Sequence, residues 1–124
     1  MDHQLRSSLK KSTLKLMELN EQAKSFYLEQ ARKEGYVPDF YGKVKPFADQ
    51  VQNVYEKWRP LVLTFIASEK PAHLHPILVE RLKDNLDAVA IQSFYGNTSY
   101  KVLMSTYQSV QYTLKQVLRA LDQK

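Results

Sequence analysis

Two of the chain's three histidines, His73 and His75, fall in the stretch P-A-H-L-H-P-I-L-V-E at residues 71–80, with Glu80 close behind. Imidazole and carboxylate groups bind zinc and move protons, so a metal centre and acid–base catalysis are the first chemistries to weigh. The spacing opposes both. Ligands carried on a helix sit three or four residues apart, whereas Glu80 lies five residues beyond His75 and His3 is near the far end of the sequence. Pro76 suits the first position of a helix, which makes His75 the capping position and leaves His73 in the preceding loop.

Other catalytic constellations are equally hard to assemble. None of the seven glutamates is followed three residues later by histidine, as a di-iron bundle requires. Ser93, Ser105, Thr106, Ser109 and Thr113 have no histidine nearby in sequence, no G-x-S-x-G elbow exists, and three glycines cannot build a phosphate-cradling loop. Cysteine is absent, which removes thiolate ligands, thiol nucleophiles and disulfides together. No catalytic residue, cofactor site or metal site is assigned, and the expectation is a protein that is not an enzyme.

The elements that carry these residues are helices. From Phe40 the apolar positions run Val44, Phe47, Val51, Val54, Trp58, Leu61 and Phe65, in alternating steps of four and three. Tyr100, Leu103, Tyr107, Val110, Leu114, Val117 and Leu121 repeat the pattern near the carboxyl terminus. Leu5, Leu9, Leu16, Leu19, Ala23 and Phe26 share one lattice interrupted by Ser12, and Val79, Leu82, Leu86, Val89 and Ser93 form another. These stripes predict helices over 3–34, 46–69, 76–95 and 98–122, with a separate turn at 39–45. Gly35 reads as a left-handed helix end, Asn97 as a helix start, and Pro60 as the cause of a kink near Trp58. At 124 residues, four such helices form one domain, an all-α antiparallel up-and-down four-helix bundle.

Charge is informative mainly where it is missing. The net charge of +5 is spread evenly, with 11 basic and 8 acidic residues in 1–62 and 7 and 5 in 63–124. Lys10, Lys11, Lys15, Glu18, Glu21 and Lys24 read as a solvated face, and Lys43, Lys45, Lys57 and Arg59 likewise. Between Lys101 and Lys115 no residue is ionised. Either the last helix is the most enclosed, its outer face hydrated by Ser, Thr and Gln, or Tyr95, Tyr100, Met104, Tyr107 and Tyr112 form an interaction surface. Asn85 and Gln92 are candidate inward-leaning amides that fix helix register. A polar amino terminus and the absence of a long apolar run predict no export signal and no transmembrane segment, so the expected location is the cytoplasm.

F-Y-G-K-V-K-P at 40–46, the mid-helix Trp58, K-P-A-H-L-H at 70–75, K-D-N at 83–85 and Q-S-F-Y at 92–95 together resemble the YppE-like family of small uncharacterised proteins from Bacillus-type Firmicutes. The resemblance spans roughly residues 39–121 and implies a cytoplasmic four-helix bundle without an established activity. Gly96, Asn97 and Thr98 stand where that family would place histidines, which weakens a metal site built on them. The expected function is noncatalytic association with a protein partner or a second copy. The alternative is binding of nucleic acid or an anionic surface through basic residues of the first helix, and a metal- or small-molecule-dependent enzyme ranks below both.

Overall fold

The structure, a computed structural model, describes residues 1–123. Helix α1 (His3–Phe26) passes into a π-helical turn, Tyr27–Ala31; a second π-helical turn, Phe40–Val44, leads into α2 (Lys45–Glu69). Helices α3 (Pro76–Gln92) and α4 (Tyr100–Asp122) complete the bundle, and the described residues contain no strand. Each helix packs against its two neighbours in the ring α1, α2, α3, α4, and α1 also touches α3 across the diagonal.

Cross-helix pairings fix the directions. At the start of α1, Arg6 reaches Glu69 at the end of α2 and the carbonyl of Leu121 at the end of α4. At the other end, the Tyr27 hydroxyl donates to the Thr98 carbonyl just before α4, at 2.6 Å. Tyr55 of α2 donates to the Val79 carbonyl near the start of α3 at 2.9 Å. Neighbouring helices therefore run antiparallel, and their apolar stripes close one core.

Trp58 lies at the centre of that core with no exposed surface. Its indole N–H donates to Thr13 Oγ1 at 2.9 Å, and the Thr13 hydroxyl donates to the Leu9 carbonyl one turn back at 2.7 Å. Burying an indole N–H without an acceptor costs free energy, so this relay sets how α1 and α2 slide against each other.

Leu9, Leu16, Leu19 and Ala23 of the first stripe and Val44, Val51, Trp58 and Phe65 of the second are buried as expected, while the positions between them differ by one residue. On α1 the core positions are Leu9, Thr13, Leu16, Leu19, Asn20 and Ala23, with Tyr27 and Ala31 beyond the helix; Leu5 is exposed and Ser12 only half-buried. On α2, Val51, Tyr55, Trp58, Val62, Phe65 and Ile66 are buried, while Phe47, Val54 and Leu61 lie on the flank and Phe40 is exposed. The stripes of α3 and the lower half of α4 match expectation. The discrepancy is physical: Thr13 is hydrogen-bonded through its hydroxyl and Asn20 through its amide N–H, so they occupy core positions that polarity alone would deny them. The Asn20 Oδ1 has no partner there among the described residues.

Three helix ends also differ. The first helix stops at Ala31 rather than 34, because 32–36 fold into tight turns closed by Lys33 N–H to Gln30 O and Tyr36 N–H to Lys33 O, with Gly35 at φ +82°. Helix α3 ends at Gln92 rather than 95, since Phe94 turns inward against Phe26 and Phe47. Helix α4 starts at Tyr100 rather than 98. Its cap is Ser99, whose Oγ accepts from Val102 N–H, and Asn97 does not serve. Thr98 instead donates to the carbonyl of Gln92 at the end of α3. The turn expected at 39–45 is the π-helical one, continuous with α2, which places Pro46 in its first turn; the helix continues through Pro60, whose ring lies on the solvent side.

Gly96 has a different role from a helix terminator. A Cβ there would sit 2.1 Å from the carbonyl oxygen of Ala31, so the α3–α4 connection lies directly on the end of the first helix. Gly96→Ala should lower unfolding free energy by about 1–3 kcal/mol, because the obstacle is backbone. Thr13→Val should cost a similar amount by orphaning the indole N–H, and markedly less in a Trp58→Phe background. Both follow from urea denaturation read by circular dichroism.

Candidate functional site

The histidines end up apart from any ligand set. His75 is extended, at φ −133° and ψ 151°, in the capping position before Pro76, but its side chain makes no capping hydrogen bond. His73 is exposed in the left-handed region at φ +66°. Glu80 is engaged elsewhere, accepting from the Arg59 guanidinium at 2.9 Å. Among the described residues, no three His, Asp or Glu side chains converge as a metal site.

Of the five residues proposed from sequence as one surface, Tyr107 and Tyr112 line a shared groove of about 320 Å³ on α4, and Tyr95 and Tyr100 lie at the other end of the segment, before and at the start of α4. Tyr107 lies in the α1–α4 seam, where its hydroxyl donates to Glu21 and the Lys24 ammonium sits 4.6 Å from its ring centre. Its carbonyl accepts from the buried Asn20 amide at 3.1 Å. Tyr100 is exposed beneath the Arg32 guanidinium, 5.2 Å from its ring centre. Tyr112 is exposed and accepts from Gln116, on the rim of a groove of about 480 Å³ between α3 and α4 that Ser105, Ser109 and Asn85 also line. Met104 and Tyr95 are half-buried. Asn85 is thus a groove residue and Gln92 an exposed one; the buried polar side chains are Thr13, Asn20 and Ser93.

Basic residues of α1 are largely engaged as well. Arg6 pairs with Glu69, Lys15 with Glu18 and Lys24 with Glu21, leaving Lys10 and Lys11 without a carboxylate among the described residues.

The most exposed apolar groups were not among the sequence candidates. Val37 is 78% exposed and Tyr41 81%, and Phe40, 47% exposed, packs edge-on against Tyr41 with ring centres 5.1 Å apart. This aromatic knuckle rides on a braced turn. The Asp39 carboxylate accepts from Gly42 N–H at 2.9 Å, and the Asp39 carbonyl accepts from the amides of Lys43 and Val44. Beneath it, Phe26 contacts Tyr36 and Phe94, and Phe94 contacts Phe47. Burial pushes the Tyr36 phenol above its ordinary value, with the Asp39 charge adding to the effect. Ile91, Tyr100 and Val102 are exposed at the same end of the bundle. The signal in the sequence was Tyr41 itself, an aromatic residue one position off the stripe in a Gly-containing turn.

Residues 13–121 match the bacterial domain of unknown function DUF1798. The chain belongs to that family. The uncharacterized protein YppE of Bacillus subtilis strain 168 is 26% identical over 113 residues, 91% of each chain. A solved structure of a Listeria innocua protein of unknown function aligns with a TM-score of 0.88 at 30% identity, covering 94% of this chain and 93% of that one. The crystal structure of Bacillus subtilis YppE aligns with a TM-score of 0.86 at 25% identity, covering 98% and 95%. The four-helix fold is therefore shared with both of these solved structures. No described helix is long and apolar enough to cross a membrane.

The α1–α4 seam has a pH signature. Hydrogen bonds from Lys24 and then Tyr107 hold the Glu21 carboxyl below its ordinary value of 4.5. A folded-state value below the unfolded one stabilises the protein above the unfolded value and is lost as pH falls through the folded one. The stability advantage of the wild type over Glu21→Gln should therefore be full above pH 4.5 and shrink on acidification, as measured by denaturation at a series of pH values.

Proposed function

We propose that this chain is a noncatalytic protein-association module of the bacterial cytoplasm, and that the braced knuckle at Val37, Phe40 and Tyr41 is its docking point. One observation supports this above all: Val37 and Tyr41 remain about four-fifths exposed on backbone held by the Asp39 carboxylate. Leaving such side chains in water forgoes roughly 1.5–3 kcal/mol of burial each, with no gain to the fold. Tyrosine is over-represented among residues that dominate binding energy, and a pre-braced anchor loses little entropy on docking. Tyr95 and Tyr100, at the same end, are retained as flanking contacts; Tyr107 and Tyr112 are not, being engaged with Glu21 and Gln116.

Protein is favoured over nucleic acid because three of the α1 cations already face carboxylates, which lowers the charge available to phosphates. Val37→Ser with Tyr41→Ser should leave the denaturation midpoint unchanged. Wild-type protein purified from a nuclease-treated native lysate should carry a stoichiometric protein partner, or form a defined homodimer by light scattering, that the double variant loses. A wild type that is monomeric and partnerless, or a variant that keeps its partner, sinks the proposal.

A further inference from the structure

Helices α1 and α2 also form a groove of about 530 Å³ on their outer seam. Its floor is Leu14, Val54 and Leu61, and its rim carries Lys11, Lys15 and Lys57. The floor exists because the true core stripes pass through Thr13, Tyr55 and Val62. The apolar residues beside them lie at the edge of the core, Val54 and Leu61 partly buried and Leu14 with 47% of its surface exposed. Glu18, the acidic residue on the rim, is paired with Lys15 at 3.6 Å. Lys11 and Lys57 pair with no carboxylate among the described residues, so the apolar strip is flanked by uncompensated positive charge.

We propose that this groove binds an acidic amphipathic helix of a partner protein. Charge complementarity selects the sign: a ligand with an apolar stripe and flanking Glu or Asp would cover Leu14, Val54 and Leu61 while its carboxylates meet Lys11 and Lys57. Length agrees, since the α1 edge from Ser8 to Glu18 extends about 15 Å, near three helical turns, enough for anchors at i, i+3 or i+4, and i+7.

Other occupants fit less well. A single acyl chain in an open two-walled seam would keep most of its own surface wet. A second copy joined groove to groove would oppose lysine to lysine. A nucleic-acid backbone would satisfy the lysines but leave the floor uncovered. The groove is separate from the knuckle, so either site can fail without the other.

The test uses the full chain and a fluorescein-labelled, Ala-rich peptide of about 18 residues with a leucine stripe flanked by glutamates. Anisotropy should show saturable binding that weakens with salt, and amide NMR shifts should concentrate on Leu14, Val54 and Leu61. Lys11→Glu with Lys57→Glu should weaken binding roughly tenfold or more, and a peptide with lysines in place of the glutamates should regain affinity for that variant. Both lysines are exposed, and an unshifted Trp58 emission confirms that the variant is folded. Val37→Ser with Tyr41→Ser should bind the peptide like wild type. Undiminished binding to the charge-reversed variant, shifts elsewhere, or dimerisation that masks Leu14 overturns the proposal. So does occupancy of the groove by dodecanoate or anionic vesicles but not by the peptide.

Discussion

The buried indole of Trp58 is the constraint on which the arrangement depends. A side chain of that size with no exposed surface fixes the separation of the helices around it, and its one N–H must find an acceptor inside the core. Thr13 supplies the acceptor, and its own proton goes to the Leu9 carbonyl, so every polar group in the chain of bonds is used. A slip of one turn between α1 and α2 would break the indole's bond to Thr13 and open a cavity. The relay therefore specifies register as well as contributing stability.

Around that centre the two ends of the bundle are built differently. At one end Arg6 draws together α1, α2 and α4 through Glu69 and the Leu121 carbonyl, with Phe65 beneath its guanidinium. At the other, the helices are linked by backbone and aromatic contacts: Tyr27 to Thr98, Gly96 against Ala31, and Phe26 packed between Tyr36, edge-on, and Phe94, tilted. Two π-helical turns lie there, and π-turns are rare distortions that concentrate where a chain serves purposes beyond packing. The same end carries Val37, Phe40, Tyr41, Ile91, Tyr100 and Val102 in solvent.

Helix number, helix order, the stripe of α3 and the lower half of that of α4 were legible because apolar period reports the face that leaves water, whatever that face packs against. Thr13 and Asn20 were illegible for the complementary reason. Their burial depends on acceptors and donors supplied by residues 45 and 87 positions away, which no local pattern contains. Asn97 looked like a cap by residue type, but Thr98 is drawn back to close α3 and the start of α4 falls to Ser99. Absence of charge is a property of a segment, whereas a surface is a property of faces: Tyr107 bonds Glu21 of α1 and Tyr112 borders the α3 groove, while the two share a groove along α4.

The one-residue shift of alternate α2 positions links core and surface. Had Val54 and Leu61 filled the core, as the heptad spacing implied, Leu14 would be left without aliphatic neighbours on this seam. Because Tyr55 and Val62 take those places, held by the Val79 carbonyl and apolar packing, Val54 and Leu61 stay only partly buried beside Leu14, between lysines. A leucine in place of Thr13 would orphan the indole, and a polar residue in place of Leu14 would touch only the groove. Sequence change can thus retune the outer seam while the register relay stays intact, and a family that shares the fold has room to vary what that seam meets.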